Sequence, residues 1–238
     1  MIRRLPVHPV SPLAGPAGKA QSARTTRLVR HQPARGAGYR ANVDAIHLAH
    51  FASTGPARGV AFDLGAGSGA VGLTLLDLEG AERLVFVEID AEAGRHARAN
   101  LYESGWAERA EVIIGDVLDV ALQHGGEAQL VVCNPPYVEP GRGRSPVEPR
   151  RARARLGSLA TFVEAARRVA GRRARVCFVY PARELATLMS TLRLAGLEPK
   201  RLRAVHARAS DPARIVLIEA QAGRPGGLLL EAPLVEIA

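Results

Sequence analysis

Short apolar runs alternate with amphipathic stretches along most of the chain. GVAFD (59 to 63), RLVFVE (83 to 88), AEVIIG (110 to 115), AQLVVC (128 to 133) and ARVCFVY (174 to 180) have the length and β-branched content of buried strands. Between them AVGLTLLDLE, AEAGRHARANLYES, a short segment from Val117 to Gln123, GSLATFVEAARRVA and ARELATLMSTLRLAG repeat apolar residues at helical spacing. Ahead of the first strand, Asn42 to Ser53 predicts a helix capped by Asn42, with Val43, Ile46, Ala49 and Phe51 apolar. Strands separated by helices predict an α/β three-layer sandwich around a mostly parallel sheet. The last two strands, near PKRLRAVHA and ARIVLIEAQ, are joined only by SDP, so the pattern predicts a hairpin with an antiparallel final strand, seven strands in all. The tail from Gln221, QAGRPGGLLLEAPLVEIA, has no clear period beyond a short edge strand. The expected organisation is a flexible basic arm (1–25), one domain with its preceding segment (26–222) and a C-terminal tail (223–238).

Composition changes this picture in one respect. The 238 residues are 47% hydrophobic, enough for one full core, and no segment approaches the ~20 apolar residues of a membrane span. The net charge of +9 is uneven: eight of the 32 basic residues precede the first acid, Asp44, leaving the remainder nearly balanced against 23 acids. A second cluster, GRGRSPVEPRRARAR, sets Arg142, Arg144, Arg150, Arg151, Arg153 and Arg155 against Glu148 alone. Such clusters suit a polyanion, and equally a solvated surface. Cys133 and Cys177 lie in apolar runs and read as buried, reduced thiols; with no His-x-x-x-His or Cys-x-x-Cys spacing, no metal is expected.

Two stretches carry candidate chemistry. The first, FDLGAGSGAVGL, joins the first strand to a helix, where ligands of open parallel sheets bind. Gly65, Gly67 and Gly69 allow a sharp turn and close approach, Asp63 sits at its base, and Glu88 ends the next strand, placed to accept from the hydroxyls of a ribose. This predicts a nucleoside-bearing cofactor. Gly67-x-Gly69-x-x-Gly72 also satisfies the dinucleotide fingerprint, so a nicotinamide-dependent oxidoreductase is a rival reading. The second stretch, CNPPYVEP (133 to 140), ends the fourth strand with two prolines that remove donors and stiffen the turn. Asn134 and Pro135 offer two oxygens that can converge on one planar NH₂, with Pro136 fixing their aim and Tyr137 supplying a flat face.

Asp63-Leu64-Gly65-Ala66-Gly67-Ser68-Gly69 resembles the first motif of class I S-adenosylmethionine-dependent methyltransferases, a Rossmann-like fold. That resemblance implies S-adenosyl-L-methionine as cofactor, held by Asp63, Gly65, Gly67, Gly69, Glu88 and Asp116, with Asn134 alongside. Asn134-Pro135-Pro136-Tyr137 resembles the catalytic motif of family members that methylate planar nitrogens, either N6 of adenine or N5 of a release-factor glutamine. GYRANVDAIHLA, NPPYVEPGRGRSP, VHARASDPARIVLIEA and GRPGGLLLEAPLV are similar to the bacterial methyltransferases that modify N6 of an adenine next to the anticodon of valine tRNA. By that likeness Tyr39, Arg40 and Asp44 border the pocket, and Arg142, Arg144, Arg150 and Arg151 meet RNA phosphates. The expected partner is tRNA and the expected location the cytoplasm. The glutamine enzymes usually carry a helical domain ahead of the core, where this chain has about forty residues without a clear period. A different class of function, RNA binding without catalysis, is opposed by the intact Asp63, Glu88 and Asn134.

Overall fold

The computed structural model describes residues 28–32, 43–55, 59–137, 158–223 and 225–237. The strands are β1 (Val60–Leu64), β2 (Arg83–Glu88), β3 (Ala110–Ile114), β4 (Ala128–Cys133), β5 (Ala170–Pro181), β6 (Leu197–Arg208), β7 (Ala213–Ala222), β8 (Leu229–Leu230) and β9 (Leu234–Ile237). The helices are α1 (Val43–Ser53), α2 (Ala70–Asp77), α3 (Ala91–Glu103), α4 (Val117–Gln123), α5 (Leu159–Val169) and α6 (Leu185–Leu194), the last entered through a 3₁₀ turn at Ala182–Glu184.

All nine strands form one sheet in the order β3-β2-β1-β4-β5-β7-β6-β8, with β9 also paired to β6. β1 to β5 run parallel, and β7 is antiparallel to both its neighbours, as the short SDP connection predicts. The order reverses between β1 and β4, both of which end at the same edge. The tail adds two strands to the expected seven, both parallel to β6. The sequence pattern suggests one short edge strand there; Pro233, between the two, interrupts any alternation that could have announced both.

Strand period sorts the core into two layers. Phe62, Leu64, Val85, Val87, Val131, Val176 and Phe178 face α4, α5 and α6; Ala61, Leu84, Phe86, Val132, Cys177 and Val179 face α1, α2 and α3. Gly72 lets α2 lie close on β2, since a Cβ there would stand 2.3 Å from Leu84 Cδ2 and 2.4 Å from Phe86 Cε1. Both cysteines are free and buried.

β5 begins earlier than ARVCFVY predicts, directly after α5. Ala170 pairs with Ala128, and a register shift follows before Arg175 pairs with Leu130. Deeper in the sheet, Glu219 on β7 accepts from Arg175 Nε and Nη2 at 3.0 and 2.9 Å, while Arg201 Nη1 lies 3.2 Å away. Arg175 Nη2 also donates to Ala52 O, and Arg201 Nη2 to Phe51 O, so this buried charge cluster ties the end of α1 to the sheet. Among the described residues no helix is long and apolar enough to cross a membrane.

Candidate active site

The ends of β1, β2, β3 and β4 converge at one edge of the sheet, and the residues following each strand build the site. Gly65 and Ala66 both donate to Val87 O, which folds the turn after β1 back over the end of β2. Gly65, Gly67 and Gly69 have φ of 73°, 57° and 88°, the left-handed region that disfavours a side chain. At Gly67 a Cβ would meet nothing within 4 Å, so the apex of the turn faces open space. The N-cap residue of α2 is Gly69, which has no side chain to cap the helix.

Two acids hold this turn. Asp63, 1% exposed, accepts from Gly72 N–H at 2.9 Å. Burial raises its carboxyl from 3.8 to about 7, against the lowering effect of the Gly72 bond and with a further rise from the nearby Glu88 charge. Glu88 accepts from Gly67 N–H through Oε2 (2.7 Å) and from Asp90 N–H through Oε1 (2.8 Å). Burial raises its carboxyl too, partly offset by those two amides. The Ile89 amide also lies close, and a carboxylate with about four lone-pair sites keeps acceptor capacity that suits a vicinal diol.

Asp116 follows β3 and caps α4, accepting from Leu118 N–H at 2.8 Å. Ile89 and Ile114, at the ends of β2 and β3, are exposed. An apolar side chain left open beside Glu88 offers a surface for a flat ring, a feature not legible in the sequence although Ile89 directly follows Glu88.

The missed residue of greatest structural weight is Asn100 on α3, 1% exposed. Its Nδ2 donates to Ser68 O (3.0 Å) in the glycine turn and to His31 O (2.7 Å), and its Oδ1 accepts from His31 N–H (2.7 Å). One amide thus ties the segment ahead of the domain to the turn. No sequence pattern marks it, because its partners are 32 and 69 residues away.

Asn134-Pro135-Pro136-Tyr137 leaves the end of β4 beside the glycine turn: Cys133 pairs with Leu64, and its thiol donates to Leu64 O at 3.3 Å. Burial, reinforced by the Asp63 charge, pushes the Cys133 thiol well up, so it stays protonated and structural. Pro135 is buried, while Asn134, Pro136 and Tyr137 are half-buried. The Tyr137 ring meets Tyr180 edge-on, centroids 5.9 Å apart. Its hydroxyl lies 3.0 Å from Asp44 Oδ2 and 3.1 Å from Asn134 Oδ1. Asp44 therefore does reach the motif, from the first turn of α1. Tyr39, Arg40, Arg142, Arg144, Arg150 and Arg151 lie outside the described residues.

Solved methyltransferase structures share this fold. A predicted O-methyltransferase of Agrobacterium tumefaciens superposes with a TM-score of 0.63 at 22% identity, covering 79% of this chain and 86% of that one. The fold is that of a class I methyltransferase. The family model described as methyltransferase small domain matches residues 43–148, from α1 through the glycine turn and the Asn-Pro-Pro-Tyr motif. Curated relatives of this methyltransferase fold include the tRNA1(Val) (adenine(37)-N6)-methyltransferase of Enterobacter sp. strain 638, 42% identical over 80 residues, covering 33% of each chain. The protein of the same name from Shewanella amazonensis is 37% identical over 129 residues, covering 52% of each. The chain spans a third to about half of the length of these relatives. Among the described residues no cluster of three or more His, Cys, Asp or Glu could hold a metal ion.

Proposed function

We propose that this protein transfers a methyl group from S-adenosyl-L-methionine to N6 of an adenine in tRNA. The observation that carries the reading is the placement of Asn134-Pro135-Pro136-Tyr137 beside a glycine turn held by Asp63 and Glu88. The residues present fit the cofactor. Glu88 has lone pairs for the ribose hydroxyls, Gly67 opens onto space where a side chain would stand, Asp116 has a second oxygen for an exocyclic amine, and exposed Ile89 offers an apolar face. The cofactor supplies an electrophilic methyl on a cationic sulfonium.

The exocyclic amine of adenine has its lone pair delocalised into the ring and is a poor nucleophile. Asn134 Oδ1 and the Pro135 carbonyl accept its two N–H bonds and favour the pyramidal form, whose lone pair can attack the methyl carbon. A C–N bond forms as the S–C bond breaks, the sulfur leaving as a neutral thioether. The nitrogen is then cationic, and its proton departs to water. Both prolines keep the acceptors aimed before substrate arrives, so little reorganisation is needed. Tyr137 gives a face on which a flipped base stacks, typically worth ~1–3 kcal/mol. Arg142, Arg144, Arg150 and Arg151, with Tyr39 and Arg40, are assigned to the RNA side of the pocket. The names of the curated relatives support tRNA, and an anticodon-loop adenine of a valine tRNA, over other acceptors.

The test is methylation of bulk tRNA with labelled S-adenosyl-L-methionine, followed by nucleoside analysis. N6-methyladenosine is the expected product. Label entering a release-factor glutamine instead, with none in tRNA, would replace adenine by glutamine as the acceptor. No transfer to either would leave a non-catalytic RNA-binding role.

A further inference from the structure

The Tyr137 hydroxyl has one proton and two acceptors within reach, Asp44 Oδ2 at 3.0 Å and Asn134 Oδ1 at 3.1 Å. A hydroxyl donates one hydrogen bond at a time. Whichever oxygen takes that proton decides what Asn134 can offer to a target amine.

Asp44 is 3% exposed and belongs to a chain of charged groups that crosses the fold. Arg214 on β7 donates through Nη1 to Asp44 Oδ1 and through Nη2 to Glu236 Oε1, both at 2.6 Å. Glu236 lies on β9, and its Oε1 is 2.9 Å from His47 Nε2, one turn along α1 from Asp44. Burial would raise the Glu236 carboxyl, but the bonds from Arg214 and His47 outweigh it and hold it below the ordinary value. The Arg214 fork is thus fixed at both ends, by α1 and by the tail strand.

We infer that Asp44, ion-paired to Arg214, is a positioning residue for methyl transfer: it accepts the hydrogen bond of the Tyr137 hydroxyl and so leaves the Asn134 side-chain oxygen a stronger acceptor for the target N–H. This rests on the reading of Asn134 as the amine's acceptor. A carboxylate is a stronger acceptor than an amide carbonyl, so the hydroxyl turns to Asp44 while that charge is in place. Remove the charge and the hydroxyl turns to Asn134, where it occupies one of the two lone pairs of Oδ1 and weakens that oxygen as an acceptor for the amine. Glu236 acts one step further out, by aiming Arg214. The C-terminal strand β9, 97 residues beyond the motif at its first residue, thereby helps set the geometry of Asn134.

The experiment compares Asp44→Asn, Tyr137→Phe and the double variant in single-turnover transfer to tRNA at saturating S-adenosyl-L-methionine. Asp44→Asn should slow transfer by about tenfold or more, the weight of one charge-assisted hydrogen bond, with cofactor affinity unchanged. The double variant should be no slower than Tyr137→Phe, because no hydroxyl proton remains to be misplaced. Independent, additive losses would overturn the inference, since a purely structural Asp44 would act whether or not the hydroxyl is there.

A second readout needs no activity. In protein carrying ¹³C-labelled asparagine, the Asn134 side-chain carbonyl resonance should move downfield in Asp44→Asn and return in the double variant. An unmoved resonance overturns the inference even where turnover falls. If the native protein methylates no tRNA, the proposed function fails, and the Asn134 resonance still decides the role of Asp44. Should Asp44→Asn not fold, Tyr137→Phe alone decides: with the hydroxyl bonded to Asp44, its removal should leave the Asn134 resonance in place, and an upfield move would overturn the inference.

Discussion

Glu88 Oε2 accepts the Gly67 amide at 2.7 Å across 21 residues of sequence, which makes the acid at the end of β2 and the apex of the glycine turn one unit. Its other oxygen holds the Asp90 amide, so the carboxylate fixes the turn and the start of α3 together. Glu88→Ala loses both anchors and the proposed ribose contact. Calorimetry with S-adenosyl-L-methionine should show affinity reduced at least about tenfold, the scale of one or two hydrogen bonds to a charged group. Glu88→Gln should also weaken binding, because its NH₂ must face a donor amide. Undiminished affinity in both variants would remove Glu88 from the cofactor site.

Gly67 in the turn and Gly72 in the first turn of α2 should fail differently. At Gly72 an added methyl collides with Leu84 and Phe86 on β2, so Gly72→Ala should destabilise the fold by ~1–3 kcal/mol. At Gly67 the methyl meets no protein atom, although φ of +57° costs ~1–2 kcal/mol for a residue with a Cβ. Gly67→Ala should therefore lose more cofactor affinity, relative to its loss of stability, than Gly72→Ala does. Thermal melting and calorimetry on the pair check this; equal ratios would mean that the open space above Gly67 is not the cofactor's.

Asp63 makes stability depend on pH. In the unfolded chain its carboxyl ionises near 3.8 and in the folded protein near 7, so between those values the folded state alone holds the proton. Its contribution to stability is therefore fully present below the lower value and is lost as pH rises through 7. Asp63→Asn keeps an oxygen for Gly72 N–H but removes the titration. The stability of Asp63→Asn relative to the native protein should rise from pH 5 to 7 and level off above, reaching a few kcal/mol. Urea denaturation at matched pH values gives the difference, and a flat profile would refute the buried, protonated state.

Glu219, 5% exposed, serves both Arg175 and Arg201. Glu219→Gln leaves two guanidinium groups in the sheet without their shared carboxylate and should cost ~3–5 kcal/mol. Arg175→Met should cost less, because Glu219 keeps Arg201 and the methionine stem fills much of the space. Reversal of that order in denaturant melts would show that packing, not charge, governs the cluster.

The parts legible in sequence are those whose cause is local. β2, β4 and α4 begin and end where apolar runs meet Glu88, Asn134 and the Asp116 cap, and the glycine turn needs only the spacing of Asp63, Gly65, Gly67 and Gly69. β5 started earlier than its apolar run because Ala170 pairs with Ala128, a backbone contact that side-chain pattern does not encode. Of the tail only a short edge strand was legible; that there are two was hidden by Pro233 and by exposed Leu229 and Leu230, whose pattern shows no buried face. Asn100, Arg214 and Glu236 were invisible for another reason: each acts on partners dozens to nearly two hundred residues away, and a lone polar residue carries no sign of its partner.

Asn134 is the residue on which the proposed chemistry turns. Asn134→Ala removes the side-chain oxygen while leaving Asp63, Glu88 and the glycine turn untouched, and Tyr137 keeps its bond to Asp44. Cofactor affinity should stay within about threefold of native, whereas single-turnover transfer should fall by ~10²–10³, the usual effect of deleting one preorganised polar contact to a transition state. The two measurements separate the roles of the site's halves, because a cofactor ligand would lose binding and a substrate-orienting acceptor loses rate. Near-native transfer would mean that the amine is activated by some other group, and the pairing of Asn134 with the Pro135 carbonyl would then have no catalytic part.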